Sequence, residues 1–295
     1  MVKRILAAKG VFAMVLAQLF FVAAWASIKF LGNRLPLVEI IFFRGFISLI
    51  ILMPLTYYFH RTFKGKHWTN IFLRCLTGFG AMCCAFYAMV NSQIGNVVTL
   101  LNTLPIFMAF LAPLMLKEPF RQLQFVFVVI AFGGISMILK PGLNILHSVS
   151  IYALLAAFLA TLSLVYTRKL RESDSVYIIS FHFALFVSVV IAPLALRNFI
   201  WPTFGEWVWL LAMGTTITAA QLFLVQAFHH EKASTVAPFG YISVIGSYLI
   251  GLIFFAEVPD VWSIVGAIII VGAGVGIMQI SPPVGDGDSA PNVRT

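Results

Sequence analysis

Charge is scarce in this chain. Only 10% of its 295 residues are charged and 61% are hydrophobic, whereas soluble globular domains carry about 25% charged residues, so a water-soluble fold is excluded. Acids are rarer than bases, 10 against 19, and none lies deep inside an apolar stretch, Glu39 being close to the end of one. Cysteine is confined to Cys75, Cys83 and Cys84, all in one apolar segment and two of them adjacent. A disulfide framework needs paired, spaced cysteines, so these read as small buried apolar residues. Nucleophile-elbow, phosphate-loop, metalloprotease and paired Cys/His patterns are all missing, and His229-His230-Glu231-Lys232 lacks the four-residue histidine spacing of a zinc helix. Catalytic residues, cofactors and a bound metal are therefore not expected, and ATP hydrolysis has no motif to support it.

What is abundant is apolar sequence. Stretches of spanning length run at about 10–31, 36–58, 69–90, 94–116 and 122–139, and again at about 150–167, 175–196, 206–228, 233–256 and 261–280. About 20 apolar residues cross a bilayer as a helix, and lipid forces the backbone to satisfy its own hydrogen bonds. The expectation is an all-α membrane protein of ten transmembrane helices, spans 1 to 10, with the lipid bilayer as its partner and no nucleic acid. Short breaks such as Gly32-Asn33-Arg34, Arg61 to Lys66 and Arg168 to Arg171 separate the spans. Residues 281–295, rich in Pro, Gly and Asp, read as a disordered cytoplasmic tail.

Lys3-Arg4, the first apolar run and Ala24-Trp25-Ala26 imitate a cleavable signal, but the run is long for one, and removing it would break the repeat described next. Sorting the 19 cations by alternation puts 14 at one set of helix ends, Arg74 among them. The positive-inside rule then places residues 1–9 and both termini in the cytoplasm, as for a bacterial inner-membrane protein. Trp201, Trp207, Trp209 and Trp262 fall at outer helix ends and Trp68 at an inner one.

Residues 10–140 and 149–280 align without gaps at an offset of 139, matching Pro54 with Pro193, Ala88 with Ala227, Val97 with Val236, Glu118 with Glu257 and Gly133 with Gly272. Five helices per unit is an odd number, so the second copy enters the membrane upside down. Inverted repeats of this kind belong to secondary transporters, whose substrate site lies near the midplane between the halves.

Phe43-Arg44 in span 2, Pro105 within span 4, Lys117-Glu118-Pro119 after it, and Glu257-Val258-Pro259-Asp260 before the glycine-bearing span 10 together resemble a ten-helix carrier of the drug/metabolite transporter superfamily with two EamA-type repeats. Lys29 to Arg44 and the pattern from Ala233 through Tyr241 to Asp260 are further similar to a branch with S-adenosylmethionine uptake carriers, and riboflavin uptake carriers are also similar. Gly240 stands where the S-adenosylmethionine branch is expected to carry a longer, charged residue. The resemblance implies a small-molecule substrate and a secondary carrier rather than an enzyme.

Ionisable groups inside spans are costly and usually face a cavity or a partner. Arg44 lies about 12 Å in from the outer end of span 2, at 1.5 Å per residue. It reads either as a fork for a substrate carboxylate or phosphate or as a structural arginine on helix-end carbonyls. Lys29 and Glu39 sit near outer ends, where a rim salt bridge is the favoured reading. His182, about 10 Å into span 7, is the candidate for proton coupling, with a packed histidine as the alternative. Polar faces at helical spacing occur in span 3 (Thr77, Gly80, Cys84, Tyr87, Asn91) and span 4 (Asn96, Thr99, Asn102, Thr103), with repeat mates in spans 8 and 9. The substrate-binding set comprises Trp25, Arg44, Tyr87, Asn96, Thr99, Asn102, Thr103, Tyr166, Gln221, Gln226 and Tyr241. Pro105 and Pro238 are expected bend points, and Glu118 and Glu257 are expected to cap spans 5 and 10. Small residues in those two spans allow scaffold packing or a homodimer.

With no deep acid to meet a cation, the expected solute is zwitterionic, anionic or a flat neutral metabolite, moved most readily inward. Export of amino acids or toxic compounds, a multipass enzyme and a non-transporting assembly protein are the alternatives.

Overall fold

The computed structural model describes residues 2–116, 122–139, 148–170, 173–197, 199–230 and 237–280, and no strand occurs among them. Glu118 and the tail 281–295 lie outside the described residues. The first half contains α1 (Val2–Gly32), α2 (Leu37–His60), α3 (Trp68–Asn91), α4 (Ile94–Leu101), α5 (Leu104–Leu116) and α6 (Gln122–Leu139). The second contains α7 (Ser148–Leu170), α8 (Val176–Arg197), α9 (Phe204–His230), a 3₁₀ turn (Ala237–Tyr241), α10 (Ile242–Phe255) and α11 (Val261–Ile280). Among the described residues, seven stretches are long and apolar enough to cross a membrane, and Phe125–Leu139, Phe239–Phe255 and Val261–Ile277 are shorter apolar helices.

Span 4 is α4 followed by α5, and span 9 is the 3₁₀ turn followed by α10. Adding the repeat offset of 139 to the break at Asn102-Thr103 gives Tyr241-Ile242, where the turn becomes α10. The two broken spans are therefore broken at matching places. Pro105 sits in the first turn of α5, where its missing N–H costs least. Pro238 sits in the 3₁₀ turn.

Helix pairing carries the same two-fold logic. The pair α1 and α9 maps onto α7 and α3 when the halves are exchanged, and both pairs are extensive. The pairs α2 with α8 and α6 with α11 map onto themselves, α1 with α10 maps onto α7 with α5, and α1 with the 3₁₀ turn maps onto α7 with α4. This is the arrangement of two inverted five-helix repeats.

The glycines of spans 5 and 10 serve this packing. A Cβ on Gly266 would lie 2.7 Å from the Gly134 carbonyl oxygen, and one on Gly134 would lie 2.9 Å from that of Gly266. Gly276 makes room for the Phe127 ring, while Gly133 and Gly272 border open space. Gly272 and Gly276, four residues apart in span 10, thus differ: the first borders open space and the second is filled by a ring. Gly266→Ala is expected to destabilise the protein by about 1–3 kcal/mol, the usual cost of overpacking. Gly272→Ala should change little; comparing the two melting temperatures in detergent checks this. The three cysteines are free, as thiols packed among apolar residues.

Candidate functional site

α2 and α8 cross closely because Gly45 has no side chain: a Cβ there would lie 2.8 Å from Val187 Cγ1 and 2.9 Å from Ser188 Oγ. Gly78 does the same for α3, where a Cβ would stand 3.0 Å from both the Phe183 ring and Ser163 Oγ. Close approach brings two arginines onto one aromatic ring. The guanidinium carbon of Arg44 (α2) lies 4.9 Å, and that of Arg74 (α3) 4.2 Å, from the centroid of Phe183 (α8).

Arg44 is 4% exposed. Nε and Nη1 of Arg74 are buried with no hydrogen-bond partner among the described residues. Neither arginine has an acidic partner among the described residues. The two cations are no further apart than the sum of their distances to the ring. Their repulsion is then at least about 2 kcal/mol at an effective dielectric of 20.

Phe183 is also the repeat mate of Arg44 at the offset of 139. A residue touching its own mate lies beside the pseudo-two-fold axis, where inverted-repeat transporters bind solute. Arg74 was missed by sequence reasoning, which counted it with the inner helix ends. It stands six residues into α3, about 9 Å at 1.5 Å per residue, and its guanidinium is buried. The depth count applied to Arg44 finds it equally well.

At the mated breaks, the Asn102 side-chain amide donates to the Val98 carbonyl (2.8 Å) and to Ser243 Oγ (3.4 Å) across the halves. Ser243 in turn donates to the Gly240 carbonyl (2.7 Å). The Tyr241 hydroxyl is buried without a partner among the described residues, in the space left by Gly274. Beside Gly240 a Cβ would meet nothing within 4 Å. Thr99 and Thr103 are fully buried and bond their own helix, to the carbonyls of Gly95 (2.8 Å) and Leu100 (2.6 Å).

The end of the bundle where α1 finishes and α4 begins holds a second polar cluster, and here two expectations are corrected. Lys29 pairs with Glu257 and donates to the Ser92 carbonyl, so its partner is not Glu39. Glu39 instead accepts the backbone N–H of Ile200 through Oε1 (2.8 Å). Glu257 caps α4 rather than span 10, accepting the N–H of Ile94 at 2.8 Å. The reason is the left-handed Ala256 (φ 52°), which turns the chain back after α10, while Gly251 leaves room for the carboxylate. The first turn of α11 is held by Asp260, whose Oδ1 accepts from Ser263 Oγ (2.5 Å). Asn96 belongs to this cluster too: it accepts from the Tyr248 hydroxyl (2.9 Å) and donates to Gln93 Oε1 (3.0 Å).

The remaining expected residues are dispersed. Trp25 is half-buried and stacks on Phe21 at 5.6 Å. Tyr87 is exposed, edge-on to Tyr152 at 4.8 Å. The Tyr166 ring lies 5.6 Å from Lys169 Nζ near the end of α7. Gln221 is half-buried on α9 and Gln226 exposed. His182 bonds the Ile178 carbonyl through Nδ1 (2.8 Å) and lines a groove with Trp68, Cys75 and Phe186, next to Phe183 in sequence. No three His, Cys, Asp or Glu side chains gather to hold a metal among the described residues.

Comparison with known proteins adds the following. The model of the EamA-like transporter family matches residues 8–140 and again 147–279. The chain is 30% identical over 272 residues to the pseudopaline exporter CntI of Pseudomonas aeruginosa, covering 92% of this chain and 96% of that protein. It is 28% identical to the S-adenosylmethionine uptake transporter of Rickettsia prowazekii, covering 83% and 84%, and 25% identical to mouse solute carrier family 35 member G1, covering 90% and 77%. A solved crystal structure with 13% identity superposes with a TM-score of 0.65 over 91% of this chain and 96% of that one, which shows a shared fold.

Proposed function

The chain belongs to the EamA-like transporter family, and from that premise we propose that it carries a small organic metabolite across the bacterial inner membrane by alternating access, with both termini cytoplasmic and the solute moving inward. That it is a membrane transporter follows from the family and the relatives; the solute, direction and site are our reading. The observation that carries it is the junction of the two broken spans, with Asn102 of one half reaching Ser243 of the other. Broken helices freed of some backbone bonding can bend there as the halves rock, and their unwound turns offer polar groups at the midplane.

We assign the solute to the space between this junction and Arg44, with Tyr241 and Asn102 on the span 4 and span 9 side. The two repeats, residues 10–140 and 149–280, are the rocking units. Arg44, in a chain without a deep acid, favours a ligand with a carboxylate or phosphate. Export is the second reading, favoured by the match to an exporter across nearly the whole chain. A homodimer would have to use the outward Gly133 and Gly272, since Gly134 and Gly266 are occupied within the chain.

The test is counterflow in proteoliposomes. Vesicles preloaded with an unlabelled metabolite should accumulate the same labelled metabolite transiently and saturably, for at least one anionic or zwitterionic member of a metabolite panel. No exchange for any member, in protein shown to be folded, would overturn the carrier reading. Proton coupling is assigned to His182. Transport measured from about pH 5 to 8 should lose its pH dependence in His182→Gln, and an unaltered profile would remove His182 from the mechanism.

A further inference from the structure

We infer that Arg44 and Arg74 form a single binding site for a doubly charged anion, with Phe183 as the spacer that holds the two guanidiniums at working distance. Naming this anion as part of the transported solute rests on the carrier reading above; the site itself does not.

Three observations carry it. First, both arginines are over one ring, at 4.9 and 4.2 Å from its centroid, so the two cations lie no further apart than about 9 Å. Second, no carboxylate offsets either of them among the described residues, and two nitrogens of Arg74 are buried without a partner. Buried donors are almost always satisfied in folded proteins, and an orphan charged donor asks for an explanation such as an absent ion. Third, the arrangement is held at a cost to the fold. Two glycines, Gly45 and Gly78, are needed to seat α2 and α3 against α8 so that the like charges converge. A structural arginine pair would be expected to bring its own acids.

The chemistry the site accepts follows from the donors. A guanidinium offers a planar fork that matches carboxylate or phosphate oxygens, and two forks match two negative charges better than one. A dicarboxylate would meet one fork with each end, while a phosphate would give oxygens to both. A monoanion leaves one cation uncompensated, so acetate and chloride should bind weakly.

The experiment is thermal unfolding of the purified full-length protein in detergent, titrated at constant ionic strength with succinate, phosphate, acetate or chloride. Succinate or phosphate should raise the melting temperature saturably, and whichever does so more strongly identifies the anion geometry; acetate and chloride should not. Arg44→Gln and Arg74→Gln should each weaken that anion at least tenfold, and the double variant should lose little more than either alone, because the two act as one site. Without anion, either single variant should be at least as stable as the parent, since one of two repelling buried cations is gone. If a Gln variant does not fold, the matching Lys variant, with charge but no fork, should also weaken the anion at least tenfold. Equal effects of all four anions on the parent protein, an unchanged anion affinity in Arg74→Gln, or loss of anion-free stability in both Gln variants would each overturn the inference. Dianion binding without counterflow would leave the site and remove the carrier reading. Counterflow without any dianion effect would do the reverse.

Discussion

Replacing Arg44 by lysine is expected to lower counterflow by on the order of 100-fold while the protein still folds. Loss of a buried, charge-assisted fork costs about 2–5 kcal/mol. Lysine keeps the charge but concentrates it on one tetrahedral ammonium, which cannot make two parallel bonds to a carboxylate or phosphate. Folding should persist because Arg44 makes no ion pair that its removal would orphan among the described residues. It contributes instead a cation over Phe183, which a lysine can partly imitate. Transport rates in vesicles, set beside the yield and melting temperature of the same preparations, check this. Equal loss of folded protein in Arg44→Lys and Arg44→Ala would assign Arg44 to structure.

Breaking the outer ion pair should have the second large effect. Lys29 is 8% exposed and its ammonium is shared between Glu257 and the Ser92 carbonyl. Glu257 also holds the first N–H of α4, so one carboxylate joins α1, the end of α10 and the start of α4. Removing one partner of a buried pair costs about 3–5 kcal/mol, chiefly because the other charge is left uncompensated. Glu257→Gln should therefore lower the melting temperature markedly, and the protein can relieve the orphaned Lys29 by opening that end of the bundle to water. Adding Lys29→Met should recover most of the loss, since the uncompensated charge is then gone. A double variant as unstable as Glu257→Gln alone would mean that the ion pair does not hold that end shut.

Hydropathy made the ten spans legible, because lipid leaves the backbone no choice but helix over such lengths. The offset of 139 made the inversion legible, and the structure repeats it in helix pairing and in the two mated breaks. Pro105 and Pro238 marked the broken spans, although the unwinding at Asn102-Thr103 precedes Pro105 rather than following it.

Side-chain partners were not legible in the same way. Lys29 and Glu39 are neighbours in depth and so invite pairing on paper, yet the chain reversal at Ala256 delivers Glu257 to Lys29 instead. Arg74 was hidden by its proximity to an inner helix end: a long side chain at that depth can reach either water or the interior, and sequence does not say which. Tyr87 and Gln226 fit a helical polar face, but helical periodicity gives direction around one axis, not which neighbour that direction meets. The contact between Arg44 and Phe183 joins repeat mates, and since mates meet only beside the axis that relates the halves, the offset alone does not reveal it.

Alternating access is decided by side-specific labelling of one residue at the junction of the halves. With Cys75, Cys83 and Cys84 replaced by alanine, Asn102→Cys should react with a membrane-impermeant maleimide added to either side of sealed vesicles, and Glu257→Gln should speed the reaction from outside. Reaction from one side only, unchanged by Glu257→Gln, would contradict it.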